Sequence, residues 1–202
     1  MTRAQELRNF WKMFYESLPD EIEDESRISA KEIAQALSQV IESLDFADTS
    51  FKPAILEIIV DLNIGIPLRR AITKHDFFSP MEELLIRYGE LMGNVELEIQ
   101  RIALSPNVFT RSKQLDLFWE IILSGTGRIP QIELVRLAIA IFGSEFKIKA
   151  QMEELIKSIG KGSLLSEAIS QVPLFSQFEV ATIVAGEDNG NLDQALWELT
   201  KE

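Results

Sequence analysis

Apolar residues recur along most of this chain at intervals of three and four. Leu7, Phe10, Trp11, Phe14 and Tyr15 form one such stripe on otherwise polar sequence, the pattern of a helix with one buried face. Ile33, Ala36, Leu37, Val40, Ile41 and Leu44 form a second. It follows Ser29, with Glu32 three residues on, a capping box that predicts the helix start. Leu115, Phe118, Trp119, Ile122 and Leu123 form a third. Strand-like alternation is sustained nowhere, and β-branched residues are scattered through helical patterns. The expected fold class is all-α.

The pattern also repeats. Glu57–Asn94 aligns on Glu154–Asn191 at an offset of 97 without a gap. Identical residues are Glu57/Glu154, Ile59/Ile156, Gly65/Gly162, Leu68/Leu165, Ala71/Ala168, Ile72/Ile169, Phe78/Phe175 and Ser79/Ser176. The others are Glu82/Glu179, Ile86/Ile183, Gly89/Gly186, Glu90/Glu187, Gly93/Gly190 and Asn94/Asn191, making 14 of 38 positions. Register held through two separate glycine clusters identifies a duplication. Upstream, Phe10-Trp11 matches Phe118-Trp119 and Arg27-Ile28 matches Arg128-Ile129. The first copy carries extra residues in the acidic run Pro19–Glu25, a charged loop by composition. Ser105-Pro106-Asn107 stops a helix and marks the boundary. The expectation is two tandem antiparallel helical bundles of about six helices each, residues 1–105 and 106–202.

Within each copy the order is helix, glycine turn, short helix, loop, long helix, Gly-Glu-x-x-Gly-Asn, final helix. Gly65 and Gly162 sit where a helix ends in the left-handed C′ conformation. The glycines of the box either let two helices approach closely or place a turn between them. Asn94 and Asn191 are placed to cap the closing helix. That helix carries Val95, Ile99 and Ile102 in one copy and Leu192, Leu196 and Leu199 in the other, both core stripes.

Composition narrows the chemistry. With 20 Lys+Arg against 32 Asp+Glu the net charge is −12, which disfavours nucleic acid because phosphate binding needs a cationic surface. No cysteine and a single histidine remove thiolate catalysis, Cys-based metal sites and His-pair metalloenzymes. No run approaches the ~18 apolar residues of a membrane span, and the N-terminus lacks a signal-peptide core. A cytoplasmic chain is expected, with no direct membrane span.

Few residues invite a chemical role. Glu90 and Glu187 suit a hard cation such as calcium or, more simply, a hydrogen bond at the glycine turn. Glu187, Asp188 and Asp193 cluster beside Asn189 and Asn191, but without the spacing of an EF-hand. No cofactor is expected, and a divalent cation is the one candidate. His75 has no nucleophile partner in sequence, and Val172 stands at its place in the second copy. Gly160-Lys-Gly-Ser163 lacks phosphate-loop spacing and reads as a helix stop. Trp11, Trp119 and Trp197 are expected to be buried. No catalytic residue is assigned, and an enzyme is not expected.

The ordered set Gly65-Ile-Pro-Leu68-Arg-Arg-Ala71-Ile72, Phe78, Gly89-Glu-Leu-Met-Gly-Asn-Val95 resembles the cytoplasmic domain of the inner-membrane platform protein (GspF/PilC type). So does Gly162-Ser-Leu-Leu165-Ser-Glu-Ala168-Ile169, Phe175, Gly186-Glu-Asp-Asn-Gly-Asn-Leu192. The resemblance implies a six-helix bundle per copy and a scaffold role in type II secretion or type IV pilus assembly. Its implied partners are the assembly ATPase and other platform components. The family's membrane helices have no counterpart in the polar linker Ile102–Lys113 or before Glu202. The chain is therefore expected to act as a cytoplasmic form, peripheral to the inner membrane through partners. A homodimer, or an intramolecular pseudo-dimer of the two copies, fits that role. The acidic run Asp20–Glu25 would then meet a basic ATPase surface. The alternative is a cytosolic adaptor or regulator built from duplicated helical bundles and unrelated to secretion.

Overall fold

Each amphipathic stripe becomes a helix whose apolar side faces its neighbours. The computed structural model describes residues 3–19, 28–43, 51–104, 111–142 and 146–201, and among them there is no strand. The chain divides into two compact units, Met1–Asn107 and Val108–Glu202. The acidic run at 20–25 and the expected boundary at 105–107 lie outside the described residues.

In the first unit the described helices are α1 (Arg3–Glu16), α2 (Ala30–Ser43), α3 (Phe51–Asn63), α4 (Leu68–Ile72), α5 (Pro80–Met92) and α6 (Val95–Leu104). Each packs on the next, and α6 returns to α1, closing a ring. The second unit holds α7 (Arg111–Gly125), α8 (Gln131–Ile139), α9 (Phe146–Gly160), α10 (Leu165–Ser170), α11 (Gln177–Asp188) and α12 (Leu192–Leu199). The same succession of neighbours recurs, with α12 against α7. A short 3₁₀ turn, Ala140–Phe142, follows α8. Among the described residues, no helix is long and apolar enough to cross a membrane.

Aromatic rings from the first helix hold each core. Phe10, Trp11 and Phe14 are buried on α1 and stack on one another; Phe10 meets Phe51, edge-on at 5.3 Å, and both Phe10 and Trp11 meet Phe78. In the second unit Phe118 and Trp119 both lie 5.3 Å from Phe175. Burying one such side chain contributes about 1.5–3 kcal/mol, so the matching triads Phe10/Trp11/Phe78 and Phe118/Trp119/Phe175 anchor the ring equivalently.

Local chemistry sets the helix ends. The Ser29–Glu32 capping box forms at α2: the Ser29 N–H donates to Glu32 at 2.7 Å and the Glu32 N–H to Ser29 Oγ at 3.2 Å. Gly65 and Gly162 adopt φ of 86° and 93°, where only glycine rests without strain. At these stops the Ile66 N–H reaches back to Asp61 O and the Ser163 N–H to Ser158 O, turning the chain into the short helix.

Candidate functional site

The Gly-Glu-x-x-Gly-Asn box spans the junction of the last two helices in each unit. Its two glycines have separate tasks. Gly93 and Gly190 take φ of 77° and 65° and form the turn. The Asn94 N–H donates to Gly89 O at 2.9 Å, and the Asn191 N–H to Gly186 O at 2.8 Å. The first glycine permits close approach. A Cβ on Gly89 would stand 2.7 Å from Val95 Cα, and one on Gly186 would stand 2.5 Å from Ala195 Cβ. Both alternatives left open by the sequence are realised, one glycine each.

The glutamate does not close its own turn. Glu187 accepts the N–H groups of Leu165 (2.8 Å) and Ser166 (3.3 Å), at the start of α10. Glu90 accepts the Arg69 N–H at 3.1 Å at the start of α4, and its other oxygen lies 3.4 Å from Arg69 Nε. Neither short helix has a side-chain cap from the residue at its own start. A carboxylate from the long helix therefore supplies the acceptor that the first N–H groups lack. A five- or six-residue helix is too short to persist alone, and this bond fixes its direction and position. Leu68, Ala71, Leu165 and Ala168 are then buried.

The asparagines depart from expectation. Asn191 occupies the capping position of α12 but makes no side-chain cap bond. Asn94 Oδ1 is buried without a hydrogen-bond partner. The box needs the backbone N–H at this position, which already bonds across the turn. Asn94 instead lines a groove of about 650 Å³ with Tyr15, Ile28 and Glu96, and Asn191 one of about 420 Å³ between α11 and α12.

Sequence reasoning did not assign the other repeated polar group. Ser79 and Glu82 form a capping box on α5, as do Ser176 and Glu179 on α11. The same glutamates accept an indole N–H from the first helix: Trp11 Nε1 to Glu82 at 2.5 Å, and Trp119 Nε1 to Glu179 at 2.6 Å. Burial lifts the Glu82 carboxyl above its ordinary value of 4.5, against the bonds from Ser79 and Trp11 that lower it. The Ser-x-x-Glu spacing was readable in the sequence as a helix start, whereas the tryptophan partner required the fold.

The remaining candidates are structural neighbours. His75 Nε2 lies 3.7 Å from Glu57, and its ring packs near Phe77. The N–H groups of Lys161, Gly162 and Ser163 all donate to carbonyls of the preceding turn, so Gly160-Lys-Gly-Ser163 is a helix stop. Trp11 and Trp119 are buried, but Trp197 is 45% exposed with Lys201 over its ring. It sits off the buried stripe Ala195, Leu196, Leu199. Asp188 and Asp193 are exposed. Among the described residues no three His, Asp or Glu side chains gather as a metal site would require.

The surfaces of the two copies differ more than their frames. On α3, Leu56 and Val60 are 48% and 59% exposed, and Ile64, one residue past the helix, is 70% exposed. Their spacing of four places them on one face. The aligned residues in the second copy are Glu153, Lys157 and Lys161, all exposed. Lys157 there pairs with Glu154 at 2.6 Å. In the first copy Lys74 binds Asp61 at 2.5 Å, where the second has Gln171 and Ser158. Compared with known proteins, the chain matches no family model, no curated protein and no solved structure.

Proposed function

We propose that this protein is a non-enzymatic scaffold that binds protein partners through helix faces. Its setting on this reading is a secretion or pilus-type assembly system, with the assembly ATPase or other platform components as partners. The resemblance carries the setting, and the exposed apolar face Leu56-Val60-Ile64 carries the interaction. Isolated exposed apolar residues are ordinary, but an aligned apolar row marks a contact surface. Support also comes from the division of labour in the repeat. Glu90, Glu187 and the four box glycines are occupied in building the ring, which leaves recognition to the positions that differ between copies.

The test is in-cell crosslinking and recovery of the tagged full chain from its native host, beside a Val60→Glu variant. The expected result is recovery of an assembly ATPase or platform component, lost in Val60→Glu while the melting temperature stays unchanged. Recovery of other defined partners through the same face would favour the adaptor reading. Undiminished recovery by Val60→Glu would remove the assigned contact face.

A further inference from the structure

We propose that Asn189 is a modification site: the Gly190 nitrogen displaces its side-chain amide, and the resulting acid loosens the junction of α11 and α12. The inference needs no partner, so it stands or falls independently of the scaffold reading.

Of the chain's asparagines, Asn189 alone is followed by glycine; the others precede Phe, Ile, Val or Leu. A side chain on the following residue shields its backbone nitrogen, and glycine has none. The fold keeps this pair accessible. Both residues are exposed, Gly190 stands at φ 65°, and nothing lies within 4 Å of where its Cβ would be. Asn189 is the half-in residue that ends α11, at φ −89° and ψ −2°. Two hydrogen bonds hold the pair: Asn189 Nδ2 donates to Ala185 O at 2.8 Å, and the Gly190 N–H to Glu187 O at 3.2 Å. The second must open to free the nucleophile. It is a 3₁₀-type closure at the long end of the range, whereas the Gly93 N–H of the first copy holds Gly89 O at 2.8 Å. Bonds at a helix end open far more readily than the fold as a whole.

The Gly190 nitrogen, its proton taken by hydroxide, attacks Asn189 Cγ. The N–Cγ bond forms, the Cγ–Nδ2 bond breaks, and Nδ2 takes a proton from water and leaves as ammonia. The product is a five-membered imide, which water opens. Cleavage of the N–Cγ bond gives aspartate. Cleavage between Gly190 N and the Asn189 carbonyl carbon gives isoaspartate, whose main chain runs through Cβ and Cγ. Water is consumed and ammonia released, with no oxidant or cofactor.

Either product places a carboxylate at the C-terminal end of α11, where the helix dipole disfavours negative charge. Glu187, Asp188 and Asp193 are close in sequence, and Glu198 lines the same groove as Asn189. Isoaspartate also adds one backbone atom to a turn closed by the Asn191 N–H on Gly186 O at 2.8 Å. Met92 stands at this place in the first copy, so the two junctions age differently.

The test incubates the full chain in mildly alkaline and mildly acidic buffer and follows each asparagine by peptide mass spectrometry. Isoaspartyl methyltransferase reads the isoaspartate. The peptide holding Asn189 is expected to gain the amide-to-acid mass shift, faster in alkali. Asn63 is the reference within the same chain: it is exposed, ends α3 and precedes Ile64. Asn189 is expected to convert several-fold faster. Asn189→Gln, which would need a six-membered ring, should remain unconverted with a melting temperature close to the parent. The modified fraction, separated by anion exchange, should show amide exchange across residues 186–192 about twofold to fivefold faster. Conversion no faster than at Asn63, conversion confined to chain unfolded in urea, or equal rates in acid and alkali would each overturn the site. Unchanged exchange in the modified fraction would overturn its effect on the junction.

Discussion

Adding a methyl group to Gly186 puts two physical effects in opposition, and the sign of the outcome decides between them. Glycine in a helix interior is disfavoured relative to alanine by about 1 kcal/mol, so propensity alone predicts that Gly186→Ala stabilises α11. The fold predicts the reverse. The new Cβ would stand 2.5 Å from Ala195 Cβ, 3.2 Å from Leu192 Cα and 3.3 Å from Asn191 O. Carbon atoms rest at about 3.5–4.0 Å, so α12 must retreat by roughly 1 Å or more. Two of the three obstacles are backbone, which cannot rotate away. Overpacking of this kind costs about 1–3 kcal/mol, and we expect the upper part of that range, a net loss of about 1–2 kcal/mol.

The double variant isolates the cause. Ala195→Gly alone loses helix propensity and a buried methyl, about 1 kcal/mol for the first and about 0.8 kcal/mol for the second. Combined with Gly186→Ala it removes the closest contact, so the pair should be at least about 1 kcal/mol more stable than the sum of the singles. Hydrogen exchange across residues 177–199 reads this local stability without assuming that both units unfold together. A stabilising Gly186→Ala, or a coupling of zero, would refute the close-approach account. Gly162→Ala is the contrast: nothing lies within 4 Å of its Cβ, but φ is +93°. It should lose about 1–2 kcal/mol through the left-handed backbone, with no neighbour able to rescue it.

Glu187→Ala should weaken the start of α10 by about 1–2 kcal/mol, seen as faster exchange at residues 165–170. It is therefore a test of folding before it is a test of binding. Glu82 gives a pH signature. Burial raises its folded pKa above 4.5, so the folded state holds the proton more tightly than the unfolded one. That contribution to stability is fully present below about pH 4.5 and is lost as pH rises through the folded value. Glu82→Gln cannot titrate, so the melting temperature of the parent minus that of the variant should fall with rising pH, and parallel profiles would contradict it. Trp119→Phe removes the donor 2.6 Å from Glu179 and should cost the second unit about 1.5–3 kcal/mol, read by thermal melting.

The sequence displayed what is periodic or local. The stripes of α1, α2 and α7 were visible because burial follows the helical repeat, and Ser29-x-x-Glu32 because a cap and its partner are three residues apart. Gly89 and Gly93 could not be told apart, because a glycine needed for close packing and one needed for positive φ look the same in sequence. The partner of Glu187 lies 21 and 22 residues away, a distance no local spacing reveals. Trp197 was misread: the stripe of α12 runs through Ala195, Leu196 and Leu199, and one step of the helix past Leu196 points elsewhere. The groove under Tyr15 and Gln100 joins two helices that are distant in sequence, so it had no signal at all.

Except for the exposed pair Glu57/Glu154, most identities between the copies fall in the buried core or where the backbone is constrained: left-handed turns, a close helix crossing, capped helix starts and one buried tryptophan acceptor. Such residues report how the ring is built, and any chain using the ring would need them. On the proposed scaffold reading, recognition is sought where the copies disagree, and α3 against α9 is the sharpest case. Exchanging the faces tests this directly, with Leu56→Glu, Val60→Lys and Ile64→Lys in the first unit and Glu153→Leu, Lys157→Val and Lys161→Ile in the second. All six residues are exposed, and surface changes of this kind usually stay within about 0.5 kcal/mol each. Partner binding mapped by crosslinking should therefore move from the first unit to the second while melting stays nearly constant. If binding remains with the first unit, the partner reads something other than this face.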